Sequence, residues 1–530
     1  MTRLSVGEAL IKLLERKDVD TIFGIPGIHT IELYRGLNGS PMRHGRAIRH
    51  VTPRHEQGAA FMADGYARVT GKPGVCLLIT GPGFTNALTA IAQARADSIP
   101  MLIISGINAC ESLGKQLGHL HELPDQSALS RTVCLETHTL LEPDRLGEVV
   151  DKAFAAMTRA RPGPVHIEIP TDVMAMTVGL SDSTPSTAAS ASQDAGKANI
   201  ERAAAFCQSA SAPIILAGGG VRDSVAVQRL ATSLDAPVVS TVNARGLMAG
   251  HALNVPASAT LTSVRRFIDE SDLVLALGTE LGPTDYDMYD TGTMPALASL
   301  IRVDIEAAQF TRRDDPGLMI EADAATFASS LADELTPAER RGAARAEQAK
   351  QAALEEIGPA YRAHVDLLHE IWWHRPDAIM VGDSTQLVYA GNMFIEPPGP
   401  GVWFNSATGF GTLGYAAPAA IGASLGRPDQ PVICLIGDGG LQFTLAEIGS
   451  ALDCGADVVF LVWNNRGYQE IETSMIAADV QPLGVRPSAP DFVKIAEAYG
   501  LSAERVDDLD QLGGIVGRST GPCLIEYICP

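Results

Sequence analysis

The sequence predicts an α/β protein of three domains built on mostly parallel sheets. Short apolar runs alternate with helical patterns almost from end to end, the pattern of parallel strands joined by crossover helices. The 530 residues exceed what one hydrophobic core accommodates, and at roughly 150 residues per domain they suggest about three. Two stretches of different composition interrupt the alternation. A Ser/Ala-rich run at 181–198 has linker composition, and a charged, Ala-rich run at 335–356 reads as an exposed connecting helix. The domains are therefore expected at 1–180, 195–335 and 355–530.

Strand candidates follow in chain order. The first domain holds 75–80, 101–105 and 165–169, the second 213–217 and 273–277, the third 378–382, 431–436 and 458–463. The outer domains look like diverged copies of one unit. Each reads strand, Gly-x-Gly turn, helix, strand, and Gly81 to Asn108 spans the same 27 steps as Gly437 to Asn464. Two such domains can pair face to face. A ligand between them would lie where strand carboxyl ends meet helix N-termini.

Composition removes several classes. Apolar residues at 46% and charged residues at 19% exclude a disordered chain. A net charge of −22 argues against phosphate-backbone binding as the main activity, so no nucleic acid is expected as partner. No apolar run approaches the roughly 20 residues of a membrane span, and the N-terminal helical pattern carries charges where a signal peptide needs an apolar core. Eight cysteines with no CxxC pair, several inside strand candidates, read as reduced thiols of a cytoplasmic protein.

Gly437-Asp438-Gly439-Gly440 follows an apolar strand and opens a helix. A helix start offers unpaired N–H groups and a positive dipole end, and glycines let a diphosphate approach the backbone. Asn464-Asn465-Arg466-Gly467 ends the next strand, so one returning helix puts both turns at one sheet edge. Asp438, Asn465 and the Gly467 carbonyl then supply oxygen ligands to a cation bridging two phosphates, a shell that suits Mg²⁺.

This spacing, GDG followed by NN, is the thiamine-diphosphate fingerprint, and the chain resembles the acetolactate synthase and 2-oxo acid decarboxylase superfamily over nearly its whole length. The resemblance implies that the first domain grips the cofactor's aminopyrimidine, the third its diphosphate and metal, and that the middle one is Rossmann-like. Glu56, in Arg54-His55-Glu56-Gln57-Gly58-Ala59-Ala60 before FMADGYARVTG, matches the family glutamate whose hydrogen bond to the pyrimidine N1′ lets the cofactor's amino group deprotonate its thiazolium. Leu413, in Gly409-Phe410-Gly411-Thr412-Leu413-Gly414, fits the apolar residue wedged between the cofactor's rings, and Ser384 and Thr385 fit a further diphosphate contact. The family builds its site between chains. The resemblance thus implies a homo-oligomer, at least a dimer and commonly a tetramer.

At the substrate end the chain departs from pyruvate decarboxylases. Their acid after the first proline-glycine turn is replaced by Ile28, and no His-His pair exists. His29, His119 and His121 are the candidates for proton delivery. The stretches GIPGIHTIELYRGL, TPRHEQGAAFMADGYARV and LHELPDQ look most like decarboxylases of 5-guanidino-2-oxopentanoate. Such a substrate calls for a carboxylate, and Glu122, Glu470 and Glu472 are the candidates. The family's usual glutamate near the last two falls at Ile471, so its role is not transferred. Gly218-Gly219-Gly220 and Gly278 in the middle domain explain a tight turn as readily as a nucleotide, and FAD is not expected. The leading expectation is a lyase; a carboligase of the acetolactate synthase kind is the alternative. A silent scaffold is disfavoured because Glu56, Asp438 and Asn465 are all intact.

Overall fold

Three six-stranded sheets, every strand parallel to its neighbours, carry the fold. A short antiparallel pair, Arg3–Ser5 with Thr177–Gly179, ties the two ends of the first unit together. The computed structural model describes residues 3–37, 48–158, 161–180, 193–286, 291–312 and 317–529. Most of the expected linker at 181–198 lies outside these. No helix among them is long and apolar enough to cross a membrane.

In the first sheet the strands, numbered along the chain from Thr21–Gly24, lie in the order 2-1-3-4-6-5; the third sheet, numbered from Ile379–Gly382, has the same order. Shared topology is what a duplicated unit produces, so the internal repeat is real at the level of the fold. The middle sheet, numbered from Pro213–Ala217, runs 3-2-1-4-5-6, the Rossmann arrangement. Gly74–Leu78, Met101–Ile107, Val432–Gly437 and Val458–Asn464 are buried along nearly their whole length. Helices cover both faces, which is why these strands read as continuous apolar runs.

The connection between middle and third sheets differs from the expected short helix. It starts at Gly342 rather than 335 and runs to His374, past the expected boundary at 355, broken only at Gly358 (φ 71°) before Pro359. Its two halves face different sheets. Ala346, Ala349 and Ala353 are buried in the first half, Val365, Leu368, Ile371 and Trp372 in the second. All seven belong to one apolar cluster that spans both domains, so burial carries the helix through the boundary.

Helix Glu56–Thr70 of the first domain crosses helix Ala416–Gly426 of the third at backbone distance. A Cβ at Gly65 would overlap the carbonyl of Ala419, and one at Gly422 the carbonyl of Met62. Gly422→Ala is therefore expected to destabilise the protein by about 1–3 kcal/mol, the usual cost of overpacking, seen as a lower urea midpoint with an unchanged slope.

Beside this crossing, Arg68 joins all three domains. Its guanidinium pairs with Asp64 and Asp97, each at 2.6 Å, and donates to Asn243 of the middle domain at 3.3 Å. Asp97 also accepts from Asn243 at 3.1 Å and from Thr408 of the third domain at 3.0 Å. The Tyr415 hydroxyl donates to Asp64. Arg68, Asp64 and Asp97 are almost wholly buried. Their pairing is what makes so much interior charge tolerable, although Asp64 Oδ2 is left without a partner.

Candidate active site

The residues expected to cradle a metal sit at the carboxyl edge of the third sheet. Gly437 ends its strand and caps helix Asp438–Thr444, while the adjacent parallel strand delivers Asn465 and Gly467. Asp438 is 1% exposed, and its Oδ2 has no hydrogen-bond partner. One end of the Asn465 amide lies 3.2 Å from Asp438 Oδ1 and 2.8 Å from the Gly467 carbonyl oxygen. With nitrogen at that end, the amide donates to both. With oxygen there, three acceptors converge and only a cation holds them together. Burial pushes the Asp438 carboxyl up, against the pull of surrounding backbone N–H groups; a divalent ion would keep it ionised. The orphaned oxygen and the all-oxygen donor set fit a hard cation such as Mg²⁺. Among the described residues no group of three His, Cys, Asp or Glu offers another metal site.

Around the cradle, the glycines yield space to neighbours. A Cβ at Gly439 would lie 2.5 Å from the Tyr468 ring, and one at Gly440 3.2 Å from Asp383 Oδ1. Asp383 is fully buried and pushed up to about 6 by that burial; it accepts the N–H groups of Ser384 at 2.8 Å and Ala416 at 3.3 Å. The Thr385 hydroxyl faces Gly437, 3.2 Å from where a Cβ would stand, and makes no cap bond to its own helix. Ser384 is half-buried in the same turn. Gly411 and Gly414 both have left-handed backbone (φ 72° and 79°). Ser406 and Thr444 hydroxyls donate to the carbonyls of Thr412 at 2.7 Å and Gly414 at 2.8 Å, which fixes the loop on either side of half-buried Leu413.

Glu56 opens its helix in the first domain, half-buried, with Asn86 donating to Oε2 at 3.0 Å and Gly83 leaving room beside Oε1. The helix start is held by the third domain. Buried Glu447 accepts the N–H groups of Arg54 and His55 at 3.1 Å, and a Cβ at Gly58 would overlap that carboxylate. His29 and His121 meet edge to face with ring centroids 5.1 Å apart, and the Nδ1 of each is buried without a partner. Burial, then the neighbouring His121, lowers the His29 pKa. His121 occupies left-handed backbone (φ 61°), and its carbonyl fills the place of a Cβ at Gly81. His119 is exposed. Within one chain no hydrogen bond or ion pair among the described residues joins Glu56 to the metal cradle.

Of the three expected substrate carboxylates, two are engaged. Glu122 accepts backbone N–H groups of Leu117, Gly118 and His119 at 2.7–3.1 Å. Desolvation raises its pKa, but these bonds outweigh it and leave it below the usual range. Glu472 pairs bidentately with Arg486 at 2.7–3.0 Å. Glu470 has no such bond and lines a cavity between the middle and third domains. In the middle domain, Gly218 and Gly220 are packed against Gly278. Asp383, Glu447 and Tyr468 were not among the expected site residues; each acts on a partner distant in sequence and carries no local signal.

Family models match all three parts of the chain. Residues 4–129 match the N-terminal TPP-binding domain of thiamine pyrophosphate enzymes, 200–331 the central domain and 383–527 the C-terminal TPP-binding domain. The chain is 42% identical over 523 residues to a probable 2-ketoarginine decarboxylase of Pseudomonas aeruginosa, covering 96% of this chain and 90% of that one. It is 30% identical to the acetolactate synthase isozyme 1 large subunit of Escherichia coli, with 99% and 94% covered. A probable acetolactate synthase large subunit of Methanococcus aeolicus is 28% identical, with 98% and 91% covered. With both cofactor-binding domains and the central one matched in their family order, this chain belongs to the thiamine pyrophosphate enzymes.

Proposed function

We propose that the protein catalyses non-oxidative decarboxylation of 5-guanidino-2-oxopentanoate to an aldehyde and CO₂, using thiamine diphosphate and Mg²⁺. The observation that carries this reading is the 42% identity, over 96% of the chain, to a relative named for that activity, against 30% for an acetolactate synthase. Asp438, Asn465 and the Gly467 carbonyl would hold the metal; Gly437, Gly439, Gly440, Ser384 and Thr385 would meet the diphosphate. Gly411 and Leu413 would support the rings. When bound, the cofactor supplies the sink for the electron pair left by CO₂. Glu56 would hold its hydrogen bond to the aminopyrimidine, oriented by Asn86. His29 and His121 would exchange protons with substrate and product, a reading supported by their pairing near the turn at Gly81; His119, which is exposed, is the weaker candidate.

The reading includes a homo-oligomer, a dimer or tetramer, in which Glu56 serves a cofactor held by the partner subunit, and a cytoplasmic setting suited to eight free thiols. It calls for no flavin. A panel of 2-oxo acids assayed for CO₂ release tests it. The guanidino acid should exceed pyruvate in kcat/KM by about 10- to 150-fold, the worth of one charge-assisted contact. A faster neutral branched or aromatic acid would remove the substrate. Acetolactate as the main product from pyruvate would favour a carboligase.

A further inference from the structure

A cavity of about 260 Å³ lies between the middle and third domains. Arg245 and Asp285 line it from the middle domain, and Tyr361, Tyr389, Thr408 and Glu470 from the third. It adjoins the cofactor-binding segments. Tyr389 lies in the helix that follows Ser384 and Thr385, Thr408 directly precedes the loop holding Leu413, and Glu470 is in the first turn after the metal loop. A molecule seated there touches the elements that carry the reaction.

The charges are unusual for an interior surface. Arg245 is 3% exposed, donates to the Asn392 carbonyl at 3.2 Å, and has Nε and Nη1 unpartnered. Asp285 is its electrostatic neighbour without a hydrogen bond between them. Glu470 faces the same space uncommitted. Two carboxylates against one guanidinium leave a formal excess of one negative charge, and Tyr286, Tyr361 and Tyr389 add aromatic side chains to the same lining, a composition suited to a flat cation.

We propose that this cavity receives the side chain of the 2-oxo acid, and that Asp285 and Glu470 hold its cationic end. The middle domain thereby reads the substrate. The inference rests on the decarboxylase reading above and assigns the recognition to particular residues. Burial, then Asp97, pushes Asp285 up to about 6, while Arg245 pulls it down. Arg245 is thus the counter-charge that favours the anion, and an arriving guanidinium would favour it further.

The test uses the full-length holoenzyme and three 2-oxo acids of similar length, ending in a guanidino, a ureido or a carboxylate group. Asp285→Asn and Glu470→Gln should each reduce the guanidino-over-ureido ratio of kcat/KM about 10-fold or more. The guanidino value should carry that loss, falling further than the ureido value in each variant. Should Asp285→Asn fail to fold, Glu470→Gln at the exposed rim still decides the matter. A wild-type preference for the guanidino acid with the ratio unmoved in the folded variants overturns the cavity assignment alone. A wild-type preference for the ω-carboxylate acid assigns the cavity to Arg245 instead and overturns it as well. Pyruvate is assayed beside them, and a preference for it overturns the decarboxylase substrate and this inference together.

Discussion

Glu56→Gln is expected to cut turnover on the order of 100-fold or more, the general range for losing acid–base assistance. Glutamine keeps the length and shape of the side chain, and its oxygen can still accept from Asn86, which now reaches Oε2 at 3.0 Å. The helix start should survive, because it is held by Glu447 through the backbone of Arg54 and His55. What disappears is the carboxylate that, in the reading proposed above, would hydrogen-bond the cofactor's aminopyrimidine. Thiamine diphosphate titration and circular dichroism should therefore be near normal while steady-state CO₂ release collapses. Wild-type turnover in this variant would remove Glu56 from the chemistry.

Asp438→Ala is expected to abolish metal-dependent binding of thiamine diphosphate, read as loss of the Mg²⁺-dependent component in calorimetric titration. In the reading proposed above, the diphosphate would bring several negative charges to the start of helix Asp438–Thr444, and a cation would let a carboxylate share that space. The protein without metal should respond in the opposite sense. Asp438 is buried with one oxygen unpartnered, so its removal relieves a desolvation cost. Thermal unfolding of the cofactor-free variant should be no earlier than that of the wild type, and the gain that Mg²⁺ and cofactor give the wild type should vanish. An unchanged dissociation constant would contradict the cradle.

The sheets were legible because parallel strands buried on both faces are written as apolar runs. The expected 75–80 and 431–436 differ from the observed strands by no more than two residues at either end. The placement of the two turns at Gly437–Gly440 and Asn464–Gly467 on one sheet edge was equally readable, since strand, helix and returning strand set it by local geometry. Reading failed where a side chain's partner is set by the path of a loop or by tertiary packing and not by a helical or strand pattern. Nothing beside Glu122 or Glu472 announces that backbone amides or Arg486 will claim it. Asp383 occupies the space opened by Gly440, and Asp285 faces Glu470 across a domain boundary; neither relation has a sequence spacing to betray it. The helix ending at His374 was misjudged for a related reason. Its Ala-rich first half looks solvent-facing in one dimension, although Ala346, Ala349 and Ala353 are buried.

Arg68 also sets a limit on modularity. The middle domain looks like an interchangeable cassette, yet Asn243 places one of its side chains in the hub where Asp97 receives Thr408, the residue just before the loop that carries Leu413. A graft of a foreign cassette lacking an amide there would take one partner from each of Asp97 and Arg68, whose own side chains are almost wholly buried although Asn243 itself is exposed. The disturbance would then reach the loop that carries Leu413 through Thr408. Descent by recombination is thus constrained at a position remote from catalysis: successful exchanges would have to carry the hub's partners with them.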